Sequence, residues 1–293
     1  VRALAWAAVV AVFTLMTIGN IVSATGSGLA CPDWPLCHGR VIPPLEPDVL
    51  IEYSHRLTAV VASILLLATI VATMRSRTSG GVRRVGIALL ILLVAQIALG
   101  GITVLLRLPD LVSTAHLVTA LLILGGLVVL ASTGRPAEAL GAAAPKIARL
   151  TRSGLAALLL QLALGGYVRH SGAGLACPDF PLCSGQWFPG HWLGVIHWVH
   201  RWLGVILLGV FIHLAIVSRR TPLAGATAIV AALAVLQVTL GIATVLLRLD
   251  PFIRAIHAAV GYSLWAALVW ISTRAGCWQA RPPGATAEVV HAS

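Results

Sequence analysis

"QIALGGITVLLRLPD", residues 96–110, is an apolar run closed by an arginine, and it is written again as "QVTLGIATVLLRLDP" at residues 237–251, an offset of 141. The repeat extends well beyond this pair. "GSGLACPDWPLC" (26–37) returns as "GAGLACPDFPLC" (172–183), and "SHRLTAV" (54–60) as "VHRWLGV" (199–205). His116 falls on His257 at the offset of 141. Internal repetition on this scale sets the architecture before any other signal.

Each copy holds four long apolar runs. The eight expected spans are 4–23, 54–74, 85–106, 112–132, 149–168, 197–218, 224–247 and 253–273. About 20 residues at 1.5 Å each cross a hydrocarbon core of roughly 30 Å. Backbone groups in lipid must bond internally, so the runs are helices. Composition agrees: of 293 residues, 59% are hydrophobic and 10% charged, with mean hydropathy +0.96. The expected fold is an all-α integral membrane protein, with two tandem four-helix bundles. Four is even, so both halves insert alike, about a pseudo-twofold axis along the membrane normal. The halves are 1–132 and 149–275, with a cytoplasmic linker 133–148 and a cytoplasmic tail 276–293. The first run precedes small residues, as a signal peptide does, but span five precedes the same motif in mid-chain. A retained helix is expected.

The net charge of +11 does not read as a nucleic-acid surface. The basic residues sit in short loops between spans, the pattern of the positive-inside rule. Arg2, Arg75, Arg77, Arg83, Arg84, Arg135, Lys146, Arg149, Arg152, Arg219, Arg220, Arg274 and Arg281 place 13 of the 20 basic residues on one side. Both termini are therefore expected in the cytoplasm, and the cysteine loops outside. There, disulfides Cys31–Cys37 and Cys177–Cys183 are expected to persist. Zinc shared between the loops is the alternative, and Cys277 should stay reduced at the cytoplasmic end.

Ionisable residues inside spans are functional suspects. His55 lies at the outer start of span two and His116 about one turn inside that of span four; His200 and His257 take the equivalent places in the second half. Two imidazoles on two helices of a bundle suit the axial positions of a heme iron, whereas mononuclear zinc wants three or four ligands. Histidines that merely bond helices together are the plainer alternative. The halves differ in one place: "IEYSHR" puts Glu52 three residues before His55, and "IHWVHR" puts His197 three before His200. That spacing shares a helix face. Glu52 reads either as a proton-transfer carboxylate or as a helix cap facing water. Arg56, Arg201, Arg107 and Arg248 are candidate contacts for heme propionates, or lipid-interface snorkels. Gln96 and Gln237 read as interhelical hydrogen-bonding groups, and His213 as a structural polar group. His38, His170, His191 and His291 carry no expected role.

These residues together resemble the heme A synthase family, over nearly the whole chain: eight spans in two halves, a histidine on each even span, "ExxHR" in span two and outer cysteine pairs. The resemblance implies oxidation of a methyl group of heme O to a formyl group, by successive hydroxylations through a hydrated aldehyde. It implies that His55 and His116 ligate the substrate heme O, that His200 and His257 ligate a resident heme b, and that Glu52 is catalytic. The implied partners are membrane lipid, heme O and heme A, with heme O synthase a plausible donor of substrate and the electron donor unspecified. Three rival readings stand beside it: a di-heme electron relay, a heme carrier, and a disulfide oxidoreductase using the cysteines. A relay usually stacks its hemes at two depths, and here both sites lie at one.

Overall fold

The computed structural model describes residues 1–76 and 78–277. Arg77, Arg281, His291 and segment 278–293 of the expected tail lie outside the described residues. Among the described residues, eight helices are long and apolar enough to cross a membrane: α1 (Arg2–Thr25), α2 (Pro47–Arg75), α3 (Gly80–Leu105), α4 (Asp110–Ser132), α5 (Ala144–His170), α6 (Trp192–Ser218), α7 (Ala224–Leu246) and α8 (Pro251–Arg274). This is a multi-pass membrane protein.

The helices start where local chemistry permits. Pro47, Pro145 and Pro251 occupy first-turn positions, where a missing N–H costs nothing. Asp250 caps α8 by accepting from the Phe252 and Ile253 N–H groups at 3.0 Å each. His191 Nδ1 caps α6 by accepting from Gly194 N–H at 3.1 Å. Gly26, left-handed at φ 80°, ends α1. Outward faces are apolar. Leu57, Val60, Ile64, Leu67 and Val71 run along α2 at helical spacing, all exposed, as a lipid-facing stripe requires.

In the first half α1 packs on α2, α2 on α3, α3 on α4 and α4 back on α1, and α5–α8 close the same ring. Between halves, α1 meets α8, α4 meets α5 and α4 meets α8. Interchanging the halves returns this same set of neighbours. Small residues admit the close approaches. A Cβ on Gly125 would lie 3.2 Å from the Trp265 indole nitrogen, and one on Gly166 would lie 2.7 Å from Leu117. Trp265 Nε1 donates across the seam to Leu121 O at 2.7 Å. At the foot of α8, Arg274 pairs with Glu138 of the linker and donates to Pro136 O at 2.9 Å.

The two repeated motifs dock on each other, which explains the "RL" that ends α3 and α7. Arg107 and Leu108 turn back with φ 59° and 60°, as do Arg248 and Leu249 with φ 54° and 66°. A left-handed leucine costs on the order of 1–3 kcal/mol. Hydrogen bonds hold the turns, from Leu108 N–H to Thr103 O at 2.7 Å and from Leu249 N–H to Thr244 O at 2.8 Å. The reversed leucines then press on the cysteine loops. A Cβ on Gly28 would meet Leu108 at 3.3 Å, and one on Gly174 would meet Leu249 at 3.1 Å. Each disulfide loop is thus seated on the turn that precedes α4 or α8.

Candidate functional site

His200 and His257 line one cavity of about 250 Å³ in the second half. His200 lies eight residues into α6 and His257 six into α8, roughly 12 Å and 9 Å along their axes. They are therefore about two turns inside the helices, where the apolar runs marked His200 at the outer start of its span and His257 one turn inside its own. Each ring lies on a glycine of the neighbouring helix. A Cβ on Gly165 would sit 2.7 Å from His200 Cε1, and one on Gly241 would sit 3.2 Å from His257 Cε1. Gln237 Nε2 stands 3.4 Å from His257 Nε2, and Gln161 Nε2 donates to His200 O at 2.9 Å.

The first half repeats this cradle. His55 is eight residues into α2 and His116 six into α4. A Cβ on Gly19 would sit 2.7 Å from His55 Cε1, and one on Gly100 would sit 3.2 Å from His116 Cε1. Gln96 Nε2 is 3.2 Å from His116 Nε2. Gln96 and Gln237 do bond between helices, but to the candidate ligands themselves. In all four histidines Nδ1 is buried without a hydrogen-bond partner. Buried imidazole nitrogens left so are costly. Among the described residues no group of three or more His, Cys, Asp or Glu could hold a metal ion. The donor set is two neutral imidazoles per half in an apolar bundle, which fits a heme iron and does not fit zinc.

Above each cradle sits the cysteine loop, closed by disulfides Cys31–Cys37 and Cys177–Cys183 with Cα–Cα distances of 4.8 and 4.3 Å. With the cysteines paired, zinc shared between the loops is excluded. Asp33 accepts the His38 and Gly39 N–H groups, each at 2.7 Å. Asp179 accepts those of Ser184 and Gly185 at 2.6 and 2.8 Å. The Gly39 and Gly185 N–H groups, helped by His38 and Ser184, hold these carboxyls below their ordinary 3.8.

The loops are anchored by the arginine after His55 and the one after His200. Arg56 donates to Asp33 O at 2.7 Å, Leu36 O at 2.5 Å and Cys31 O at 3.0 Å. Arg201 donates to Asp179 O at 2.6 Å, Leu182 O at 3.0 Å and Cys177 O. Their donors serve loop carbonyls, which the sequence reading of propionate contacts did not foresee. Arg107 and Arg248 are exposed on the turns before α4 and α8.

Beneath the arginines the halves diverge. Glu52 is 4% exposed, so it neither caps α2 nor faces water. Its Oε2 accepts Cys31 N–H at 2.8 Å, and its Oε1 pairs with Arg56 at 2.6 Å. In the second half Arg201 Nε donates to His197 Nε2 at 3.1 Å. Trp34 packs on bare backbone, 3.2 Å from where a Gly101 Cβ would be. Its counterpart Phe180 lines the second cavity.

The other histidines are placed as well. His38 meets Ala30 O at 2.8 Å and His170 meets Thr114 at 3.2 Å. His213 faces outward from α6, so it bonds no helix together. Sequence reasoning missed Arg169, Arg254 and Asn20 at the seam. Arg169 donates to Asn20 O at 2.6 Å, and Asn20 Nδ2 donates to Arg254 O at 3.3 Å and Ala255 O at 3.2 Å.

Comparison with known proteins agrees with this architecture. A heme A synthase of Alkalihalophilus pseudofirmus is 32% identical over 207 residues, covering 68% of this chain and 70% of the relative. One of Bacillus licheniformis is 28% identical over 270 residues, covering 85% and 87%. One of Shewanella oneidensis is 27% identical over 308 residues, covering 89% and 93%. The COX15-CtaA family, described as cytochrome oxidase assembly protein, matches at residues 2–50 and 45–269. The chain belongs to the COX15-CtaA family of cytochrome oxidase assembly proteins.

Proposed function

We propose that the chain is a heme A synthase whose halves divide the work: the first binds heme O between His55 and His116, and the second holds a resident heme b between His200 and His257. One observation carries the division. The same histidine–glycine–glutamine cradle occurs twice, and only the first copy has a carboxylate, Glu52, one helical turn before its histidine. The reaction is an oxidation of heme O to heme A, in which a ring methyl becomes a formyl group. Heme b supplies one-electron redox chemistry when bound.

This chain's residues then act by position. His55 is held against Gly19 and His116 against Gly100, so a substrate ring held between them has little freedom to tilt. Glu52 accepts a proton released as the methyl carbon is oxidised. Its pairing with Arg56 and Cys31 N–H fixes the carboxylate while the seated loop keeps bulk water away. The arginine-rich linkers support an orientation with both termini cytoplasmic and the loops and heme sites towards the outer face. An apolar substrate inside the membrane is best delivered by a membrane neighbour, which favours contact with the enzyme that makes heme O.

The test is to extract heme from cells with and without the protein and separate it by HPLC with mass detection. Heme A should appear only with the protein. Unaltered heme B and heme O would make the chain a relay or a carrier instead.

A further inference from the structure

Two arginines of the second half have no acidic partner. Arg169, at the outer end of α5, and Arg254, in the first turn of α8, both line the His200–His257 cavity. Among the described residues the ion pairs are Arg56–Glu52 and Arg274–Glu138, and neither involves them. Arg169 Nε is buried with no hydrogen-bond partner. Beyond its bond to Asn20 O, it shares the cavity wall with Tyr262 and with Arg254 itself. Arg254 makes one long contact, 3.4 Å to Ala24 O. Two guanidinium groups lining one membrane-embedded cavity repel each other, and charge without a counter-ion is disfavoured there. The arrangement calls for a dianion, or two close carboxylates, reached from inside the cavity.

We propose that Arg169 and Arg254 form the carboxylate-binding pole of the second-half cavity and hold the two propionates of the heme bound there. The proposal rests on the reading that this half binds heme b. Arginine is suited to the task because its planar fork meets a carboxylate with two hydrogen bonds. Arg201 also reaches the cavity wall, but three loop carbonyls and His197 take up its donors. The repeat offsets of 146 and 141 put Ser23 and Ser113 at the equivalent first-half positions. The pole is therefore private to the second half. It makes that half a tight holder of a dicarboxylate porphyrin, while the first half lacks the clamp and is suited to releasing its product. The pole is also built across the seam, because Asn20 of α1 accepts from Arg169 and is the residue next to Gly19, the floor of His55.

The test uses the full chain, produced without heme and titrated with heme b or with heme b dimethyl ester, binding being followed by absorbance. Wild type should bind the free acid more tightly, on the order of tenfold for each arginine engaged. Arg169→Gln with Arg254→Gln should bring the two ligands close to parity, and Arg169→Lys with Arg254→Lys should keep most of the preference. Equal binding of acid and ester by wild type, or an undiminished preference in the glutamine variant, overturns the assignment. His200→Ala separates the two levels of the argument. If it abolishes heme uptake while the glutamine variant still discriminates as wild type does, only the arginine pole fails. If uptake is indifferent to His200→Ala, the heme b reading beneath it fails.

Discussion

Glu52 and His197 stand at the same place in two copies of one fold, each three residues before a candidate iron ligand and one turn before an arginine that anchors a disulfide loop. In the first copy the arginine meets a carboxylate, and in the second an imidazole. The first loop is thus held by a charge pair, and the second by a hydrogen bond to a neutral ring. Nearby, Trp34 lies on the backbone at Gly101, while its counterpart Phe180 lines the second-half cavity, where Ile242 stands in place of that glycine. Leu15 of α1 is replaced by Gln161 of α5, which bonds the His200 carbonyl. At the seam, Ser23 and Ser113 occupy the first-half positions that Arg169 and Arg254 hold in the second. In the division of labour we propose, a shared scaffold holds two porphyrins at one depth, and a handful of polar exchanges around it makes one copy reactive and the other retentive.

The comparison breaks most visibly at Glu52. Glu52→Gln should lower conversion of heme O to heme A by roughly a hundredfold or more, the scale of a lost general acid or base, with heme b content unchanged. His197→Gln should leave heme A formation within a few-fold of wild type. Full conversion by Glu52→Gln with normal heme content would remove the carboxylate from the chemistry. Next come the cradles. Gly19→Ala and Gly165→Ala each put a methyl 2.7 Å from an imidazole, an overpacking of about 1–3 kcal/mol. Gly165→Ala should shift the low-spin bands of heme b. Gly19→Ala should leave those bands alone and weaken heme O binding; the reverse pattern would exchange the roles of the halves.

Smaller effects sharpen the picture. Gln96→Leu and Gln237→Leu remove the side chains nearest His116 and His257, each costing about 1 kcal/mol, seen as heme loss on dilution from one half only. The smallest effect should be the same in both halves. Asp33 and Asp179 are held below 3.8 by loop N–H groups, those of Gly39 and Gly185 foremost. A depressed folded value means that their stabilisation is complete above the ordinary value and is lost as pH falls through the depressed one. Asp33→Asn and Asp179→Asn should each flatten the acid limb of Tm against pH by a similar small amount.

The eight helices were legible because apolar runs of this length have one stable outcome in lipid. Their outer ends were not. α2 begins at Pro47 and α6 at Trp192, several residues before the apolar stretches at 54 and 197, because a helix continues past the lipid boundary wherever its first turn is tolerated. That shift moved His55 and His200 from the helix mouths to two turns inside. The four histidines and Glu52 stood out because ionisable groups are rare in spans. Gly19 and Gly165 did not, since glycine is common in membrane helices and only its distance to an imidazole gives it meaning. Arg56 and Arg201 were visible, but their partners are backbone carbonyls, which no side-chain pattern reveals. Arg169 and Arg254 were passed over for another reason. A search guided by a repeat finds what the halves share, and these two belong to one half alone.

The division of labour is tested most directly by removing one ligand from each half and recording heme b spectra and heme A yield on the same purified samples. His55→Ala should keep the low-spin heme b bands of wild type and make no heme A, while His200→Ala should lose those bands. Heme b lost from His55→Ala and retained in His200→Ala would contradict the account.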